Sequence, residues 1–330
     1  MTAKQLFEIG NCLDVLKKMS NESIDVCVTS PPYWALRDYG SEPVIWNDSK
    51  CGTWKGQLGL EPTFNMYIEH LMMIFTEVKR VLKPTGSCWI NLGDTYNGNK
   101  RGNTDEKQGK IESGELDKKS SAEVPNKSLC QIPSRFSIAM TDAGWCLRNK
   151  IIWHKPNVMP QSCTDRFTND YEEFFFFTKS QKYYFIQQKE PVKEVSLKRA
   201  EYGFKSVKAN LSGSSKAGID VEKMGKRFVN SNGRNMRCVW NIPTSGSHLE
   251  HVAMFPSALI DIPIRSCCPP NGTVLDPFCG SGTVLEYCRR SNINAIGIEI
   301  NADYKKMITG RGMIDIPQLD EYDDKLEEVI

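Results

Sequence analysis

No apolar run in this 330-residue chain reaches the roughly eighteen residues that a membrane-spanning helix requires. The longest candidate, FFFFTKS at 174–180, is short and aromatic and reads as a buried strand, so no membrane partner is expected. MTAKQLFEIG at the start lacks the basic and apolar regions of a signal peptide, and a cytoplasmic location is the expectation. No CxxC pair occurs, and Cys267 and Cys268 are adjacent, which is not metal-ligand spacing. The twelve cysteines are therefore expected as reduced thiols that pack as small hydrophobes, with no metal site. A large net charge is also missing: 42 Lys and Arg face 40 Asp and Glu, a balance of +2. That balance hides an asymmetry, because residues 188–240 are strongly enriched in Lys and Arg and form a candidate polyanion-binding surface.

The chain is long enough for one large α/β domain carrying an insert. Strand-like LFEIG (6–10) precedes a helix at 12–19, and IDVCVTS (24–30) is a β-branched strand that ends at a double proline. Residues 63–82 have apolar positions at helical spacing, with Lys83-Pro84 and Gly86 as stop signals, and SCWINLGD (87–94) is the next strand. After the Gly-, Asn-, Ser- and Lys-rich segment 97–128 come the helix IPSRFSIAMTDAGW and the strands CLRNKIIWHKP and YEEFFFFTKS. The last hundred residues read as helix HVAMFPSALIDIPIRSC, strand TVLD, helix TVLEYCRRS and strand AIGIEI. Strand–helix alternation of this kind predicts a parallel sheet covered by helices.

TVLDPFCGSGTVLEYCRR (273–290) sets Gly280 and Gly282 between a strand and a helix, where the backbone can turn tightly and approach a ligand. A lone GxG also describes an ordinary tight turn. Asp276 closes the strand, where a carboxylate can accept from an ammonium group. Glu299 ends the following strand, where a ribose diol lies in such folds. The third glycine of GxGxxG is absent, and Thr283 and Val284 crowd the helix start against a pyrophosphate. A ligand with ammonium, carboxylate and ribose but no phosphate fits, and S-adenosylmethionine (AdoMet) has that composition. The alternative is that Asp276 and Glu299 merely cap strand ends.

In TSPPYWALRDYG (29–40), Pro31 and Pro32 fix φ and donate no hydrogen bond, giving a stiff turn beyond a strand's carboxyl end. A structural kink would need neither the Ser30 hydroxyl nor the Tyr33 ring beside it. Methyl transfer to an exocyclic amine would use both. Such an amine is a poor nucleophile, and two fixed oxygen acceptors would draw its nitrogen toward tetrahedral geometry as charge builds there. An aromatic wall would hold the base once it had left the duplex.

TSPPYW together with DPFCGSGT resembles the DNA amino-methyltransferases, which carry (D/N/S)PPY and an FxGxG loop. The order, SPPY before the glycine loop, resembles their permuted beta class, and IGNCLDVLKKM, WINLGDTY, IIWHKPNVMP, YEEFFFFTKS and HVAMFPSAL match further blocks. The resemblance implies a Rossmann-like AdoMet-dependent methyltransferase fold: an α/β, mostly parallel sheet with helices on both faces, circularly permuted motifs and an inserted target-recognition region. It divides the chain into a catalytic half (1–187, with the insert 97–128), a DNA-binding insert (188–240) and the AdoMet-binding half of the same domain (241–330). By this likeness Ser30 Oγ and the Pro31 carbonyl would bond the target amine, with Pro32 shaping the turn and Tyr33 stacking on the base. Asp276, Phe278, Gly280, Gly282 and Thr283 would line the methionine pocket, Glu299 would hold the ribose, and Phe255 and Pro256 would wall the cofactor. Trp34 would support the flipped base or pack in the core.

Two positions depart from the family. Asn11 stands where many relatives have an aspartate near the adenine ring, and Ser30 stands where adenine enzymes usually have Asp or Asn. Serine there is usual in enzymes that methylate cytosine at N4, so that base is the expected target, with adenine N6 the alternative. In the insert, Lys198, Arg199, Lys205, Lys208, Lys226, Arg227, Arg234 and Arg237 would contact phosphates or guanine edges of double-stranded DNA. The segment 97–128 would close over DNA or serve as a plain flexible insert. A cognate restriction endonuclease and a homodimer are the partners the resemblance admits. Carbon-5 methylation is excluded because no Pro-Cys pair is present. A nicotinamide-linked oxidoreductase would use the glycine turn and Glu299 but leaves SPPYW and the basic insert unexplained.

Overall fold

The computed structural model describes residues 3–98, 124–192, 195, 233–244 and 255–310. Two compact units divide the chain: Met1–Phe185 with Cys238–Ile330, and Ile186–Arg237. The first unit opens with β1 (Gln5–Ile9), α1 (Cys12–Lys18) and β2 (Ile24–Thr29). A hairpin of β3 (Val44–Asp48) and β4 (Gly52–Gly56) follows, then α2 (Phe64–Val81), β5 (Leu82–Leu92), α3 (Ile132–Asp142), β6 (Cys146–His154) and β7 (Tyr171–Thr178). In the second unit β8 (Lys189–Glu190) pairs with β9 (Arg234–Asn235). The first unit resumes with β10 (Val239–Asn241), α4 (Ser257–Cys267), β11 (Thr273–Asp276), α5 (Thr283–Arg290), β12 (Asn294–Glu299) and α6 (Tyr304–Gly310).

Eight strands make one sheet in the order β1-β12-β11-β2-β5-β7-β6-β10. Every neighbouring pair is parallel except those of β7, which runs against both β5 and β6. This is a mostly parallel, Rossmann-like α/β sheet. The aromatic run of β7 follows from its central place: with both faces covered, every side chain can be apolar. Phe174 and Phe176 lie against Trp89, 5.5 and 4.2 Å between ring centroids, while Phe175 and Phe177 pack toward Phe136 on the other side. Helices α1, α2 and α3 build the larger core with Phe175 and Phe177, and α4 and α5 pack against β2 and β12.

Several elements differ from expectation. Strand β5 begins at Leu82, so Lys83, Pro84 and Gly86, expected as a break, lie within it, and Leu82 pairs with Ile24 ahead of a register shift. The β3–β4 hairpin and α6 carry too few alternating or helically spaced apolar residues to be read from sequence. Strand β10 belongs to the main sheet, so the expected insert boundary at 240 falls too late. Of the segment 97–128, residues 99–123 lie outside the described residues. Its described ends are held together by Asn97 N donating to Ser128 O and Lys127 N to Asn97 O, each at 2.8 Å. Of the helix expected over HVAMFPSALIDIPIRSC, residues 251–254 lie outside the described residues, and α4 begins at Ser257. Among the described residues no helix is long and apolar enough to cross a membrane.

Candidate active site

Strands β2 and β11 are parallel neighbours, with Val26 beside Val274 and Cys27 beside Leu275. The prolyl turn after β2 and the glycine loop after β11 therefore leave the sheet side by side at its carboxyl edge, where open α/β sheets bind ligands. Thr29 Oγ1 donates to Asp276 Oδ1 at 2.6 Å, joining residues 247 positions apart. A cavity of about 420 Å³ opens at this edge, lined by Ser30, Pro31, Pro32 and Tyr33 on one side. Asn11, Phe255, Phe278, Gly280 and Glu299 line it from the other elements. Pro256, Asp276, Gly282 and Thr283 are not among its lining residues.

The turn is braced from below. Tyr67 Oη donates to the Pro32 carbonyl at 2.7 Å, and Ala35 N donates to Gly59 O at 2.8 Å. Glu61 organises the next layer: its Oε2 accepts from Gly59 N at 2.8 Å and its Oε1 lies 2.9 Å from His70 Nδ1. Both side chains are fully buried, and the imidazole stacks on Trp46 and Trp54. Desolvation raises the Glu61 pKa, and the hydrogen bond from His70 opposes the shift. Trp34 belongs to this brace and not to the cavity. Its Nε1 donates to Glu61 O at 3.1 Å and its ring meets the edge of Phe64, so of its two expected roles the geometry gives packing.

On the glycine side, Gly282 caps α5 at φ +83°, a left-handed conformation that excludes most side chains. Burial pushes the Asp276 carboxyl up to about 7, against hydrogen bonds from Thr29 and from Phe278 N. Burial also raises Glu299, whose Oε2 accepts from Gly280 N and Oε1 from Asn301 N, each at 2.9 Å. Asn11 caps α1, its Oδ1 accepting from Leu13 N at 2.8 Å, so that oxygen is committed to the helix.

The sequence pattern of the N6/N4 DNA methylase family matches residues 24–310. The chain belongs to that family. Type II methyltransferase M.XycI of Xanthomonas campestris pv. cyanopsidis is 35% identical over 93% of this chain and 86% of its own length. M.SmaI of Serratia marcescens, also a type II methyltransferase, is 33% identical over 92% of this chain and 89% of its own. Among solved structures, the cytosine-N4-specific PvuII DNA methyltransferase superposes with a TM-score of 0.59 at 18% identity, covering 100% of this chain and 93% of that one.

The methyl donor of the methylase family is AdoMet. The residues at the cavity fit it. Gly280 has no atom within 4 Å of where a Cβ would stand, so its backbone is bare to a ligand. Glu299 is a half-buried acceptor suited to ribose hydroxyls, and Phe255 and Phe278 supply aromatic walls.

Further lining residues of the methylase went unassigned in the sequence: Arg37, Tyr39, Asn91, Trp153, Lys155 and Glu172. The blocks WINLGDTY, IIWHKPNVMP and YEEFFFFTKS carry four of them, but nothing in those blocks says which side chain faces a cavity. The Tyr33 hydroxyl lies 2.7 Å from Glu172 Oε2 and 2.9 Å from Asn91 Oδ1. Burial, and then the Glu172 charge, hold its pKa far above the usual phenol value, against a hydrogen bond from Ser30. In the second unit Arg234 and Arg237 both pair with Glu190, at 2.7 and 2.8 Å. Lys198, Arg199, Lys205, Lys208, Lys226 and Arg227 lie outside the described residues.

Proposed function

We propose that the methylase transfers the AdoMet methyl group to the exocyclic N4 amine of a cytosine turned out of double-stranded DNA. The observation that carries this reading is the meeting of the prolyl turn and the glycine loop at one cavity, tied by the Thr29–Asp276 hydrogen bond. Bound AdoMet supplies an electrophilic methyl on a sulfonium. Ser30 Oγ and the Pro31 carbonyl would accept hydrogen bonds from the two amine N–H groups and stabilise the charge developing on nitrogen, whose one surplus proton is released to water. Tyr67 Oη donates to the Pro32 carbonyl and so holds the turn next to the Pro31 carbonyl. The Tyr33 ring forms the wall against which the base lies, and serine at position 30 favours cytosine over adenine N6.

Glu299 binds the donor, with Phe255, Phe278 and Gly280 around it; Asp276, beneath the cavity, ties the glycine loop to β2, and Pro256, Gly282 and Thr283 shape the elements that carry the lining residues. In this reading the basic insert contacts DNA phosphates, the type II methyltransferases it resembles support a type II modification role, and a cytoplasmic location and a cognate endonuclease complete the proposal. Incubating the protein with duplex DNA and AdoMet and digesting to nucleosides tests the reading. Mass spectrometry should find N4-methylcytosine; N6-methyladenine instead would reassign the base.

Two consequences concern the donor. Glu299→Ala should weaken AdoMet binding by roughly 1.5–3 kcal/mol, the worth of a charged hydrogen bond, in calorimetric titration; unaltered affinity would remove Glu299 from the site. Asp276, raised from 3.8 to about 7, is protonated below neutrality in the unliganded protein. A cationic donor in the adjacent cavity favours the carboxylate, so AdoMet affinity should rise with pH toward 7 and then level off. Stability should move the other way: the folded state holds the extra proton, so this group's contribution falls as pH rises from about 4 to 7. Asp276→Asn should flatten both profiles, and a pH-dependence that survives it would assign the titration elsewhere.

A further inference from the structure

We propose that Glu172, backed by Lys155, is a positioning residue that fixes the Tyr33 ring for base capture; this rests on the reading of Tyr33 as the base wall. The ring is held at two places. Its Cε2 lies only 2.5 Å from where a Cβ would stand on Gly93, so the absence of a side chain there is what lets the ring lie against the backbone. Its hydroxyl is anchored by the Glu172 carboxylate at 2.7 Å, with Asn91 Oδ1 as a second acceptor. Glu172 sits near the start of β7 directly opposite Trp153 on β6, so the anchor belongs to the sheet and not to a loop.

Lys155 completes the arrangement. Its ammonium pairs with Glu172 Oε1 and lies 4.4 Å over the Trp153 ring, while its backbone N–H donates to Asp170 O. Trp153, Lys155, Glu172 and Tyr33 all line the cavity. A lone carboxylate there would repel incoming phosphates; paired with Lys155 it remains a strong acceptor without that field. A hydrogen bond to a charged acceptor is about twice as strong as a neutral one, which suits a clamp on a ring that a substrate must push against.

A double-mutant cycle tests the pairing of Tyr33 with Glu172, using Tyr33→Phe, Glu172→Leu and the combination, with Glu172→Gln as the conservative variant. Methyl transfer is read at saturating AdoMet, base extrusion is read from 2-aminopurine at the target position, and AdoMet affinity and thermal melting check the fold. Tyr33→Phe and Glu172→Leu should each reduce base capture about 10- to 100-fold, the combination no further, and Glu172→Gln should recover part of the loss. AdoMet affinity should be unchanged in all four. Losses that multiply in the combined variant would overturn the pairing. A Glu172→Gln variant with normal base extrusion but a lost pH-dependence of turnover would make Glu172 a proton acceptor and also overturn it. Tyr33→Ala separates the underlying reading, since unaltered extrusion in that variant removes Tyr33 from the base site whatever Glu172 does.

Discussion

Replacing Ser30 with alanine should lower turnover for methyl transfer by roughly 10²–10³-fold, the range seen when one oriented hydrogen-bonding group facing transition-state charge is removed. AdoMet affinity should stay where it was. The split is expected because Ser30 lines the cavity just beyond β2, whereas Phe278, Gly280 and Glu299, proposed to hold the donor, follow β11 or end β12. Single-turnover rates with pre-bound AdoMet, alongside calorimetric affinity, measure the two separately. Equal losses in rate and affinity would place Ser30 outside the chemistry.

His70→Ala should destabilise the protein by about 3–5 kcal/mol, because it leaves the fully buried Glu61 carboxylate without its partner. The stacked contacts with Trp46 and Trp54 are lost in the same step. Urea denaturation should show the midpoint falling with little change in slope. Activity should fall as well, since Glu61 also holds Gly59, whose carbonyl accepts from Ala35 beside the prolyl turn. Replacing both partners with leucine should recover stability relative to His70→Ala, as removing a buried pair costs less than breaking one. A loss below about 1 kcal/mol in the single variant would mean the pair contributes no more than an exposed one.

The residues of the prolyl turn and glycine loop were legible because their chemistry is local. Two prolines stiffen the chain wherever they stand, and a glycine at a left-handed helix cap cannot be replaced without strain. The alternation of β1, α1, β2, α2 and β5 was legible for a similar reason, since burial on one or both faces writes its period into the sequence. Trp34 shows the limit. Its place beside SPPY admitted either contact with a base or packing in the core, and only the fold, turning it inward onto Phe64 and Glu61, selects packing. Glu172 and Lys155 show the converse, because each looks like an ordinary charge at a strand end.

By itself the sequence determined the kind of sheet, the two motif loops and the chemistry they suit, because propensity, turn residues and hydrophobic period act over a few neighbours. Only the tertiary structure decided which strands lie side by side, bringing Thr29 to Asp276 across 247 positions and Tyr33 to Glu172 across 139. Strand order is set by the packing of whole faces, and no short stretch of sequence records it.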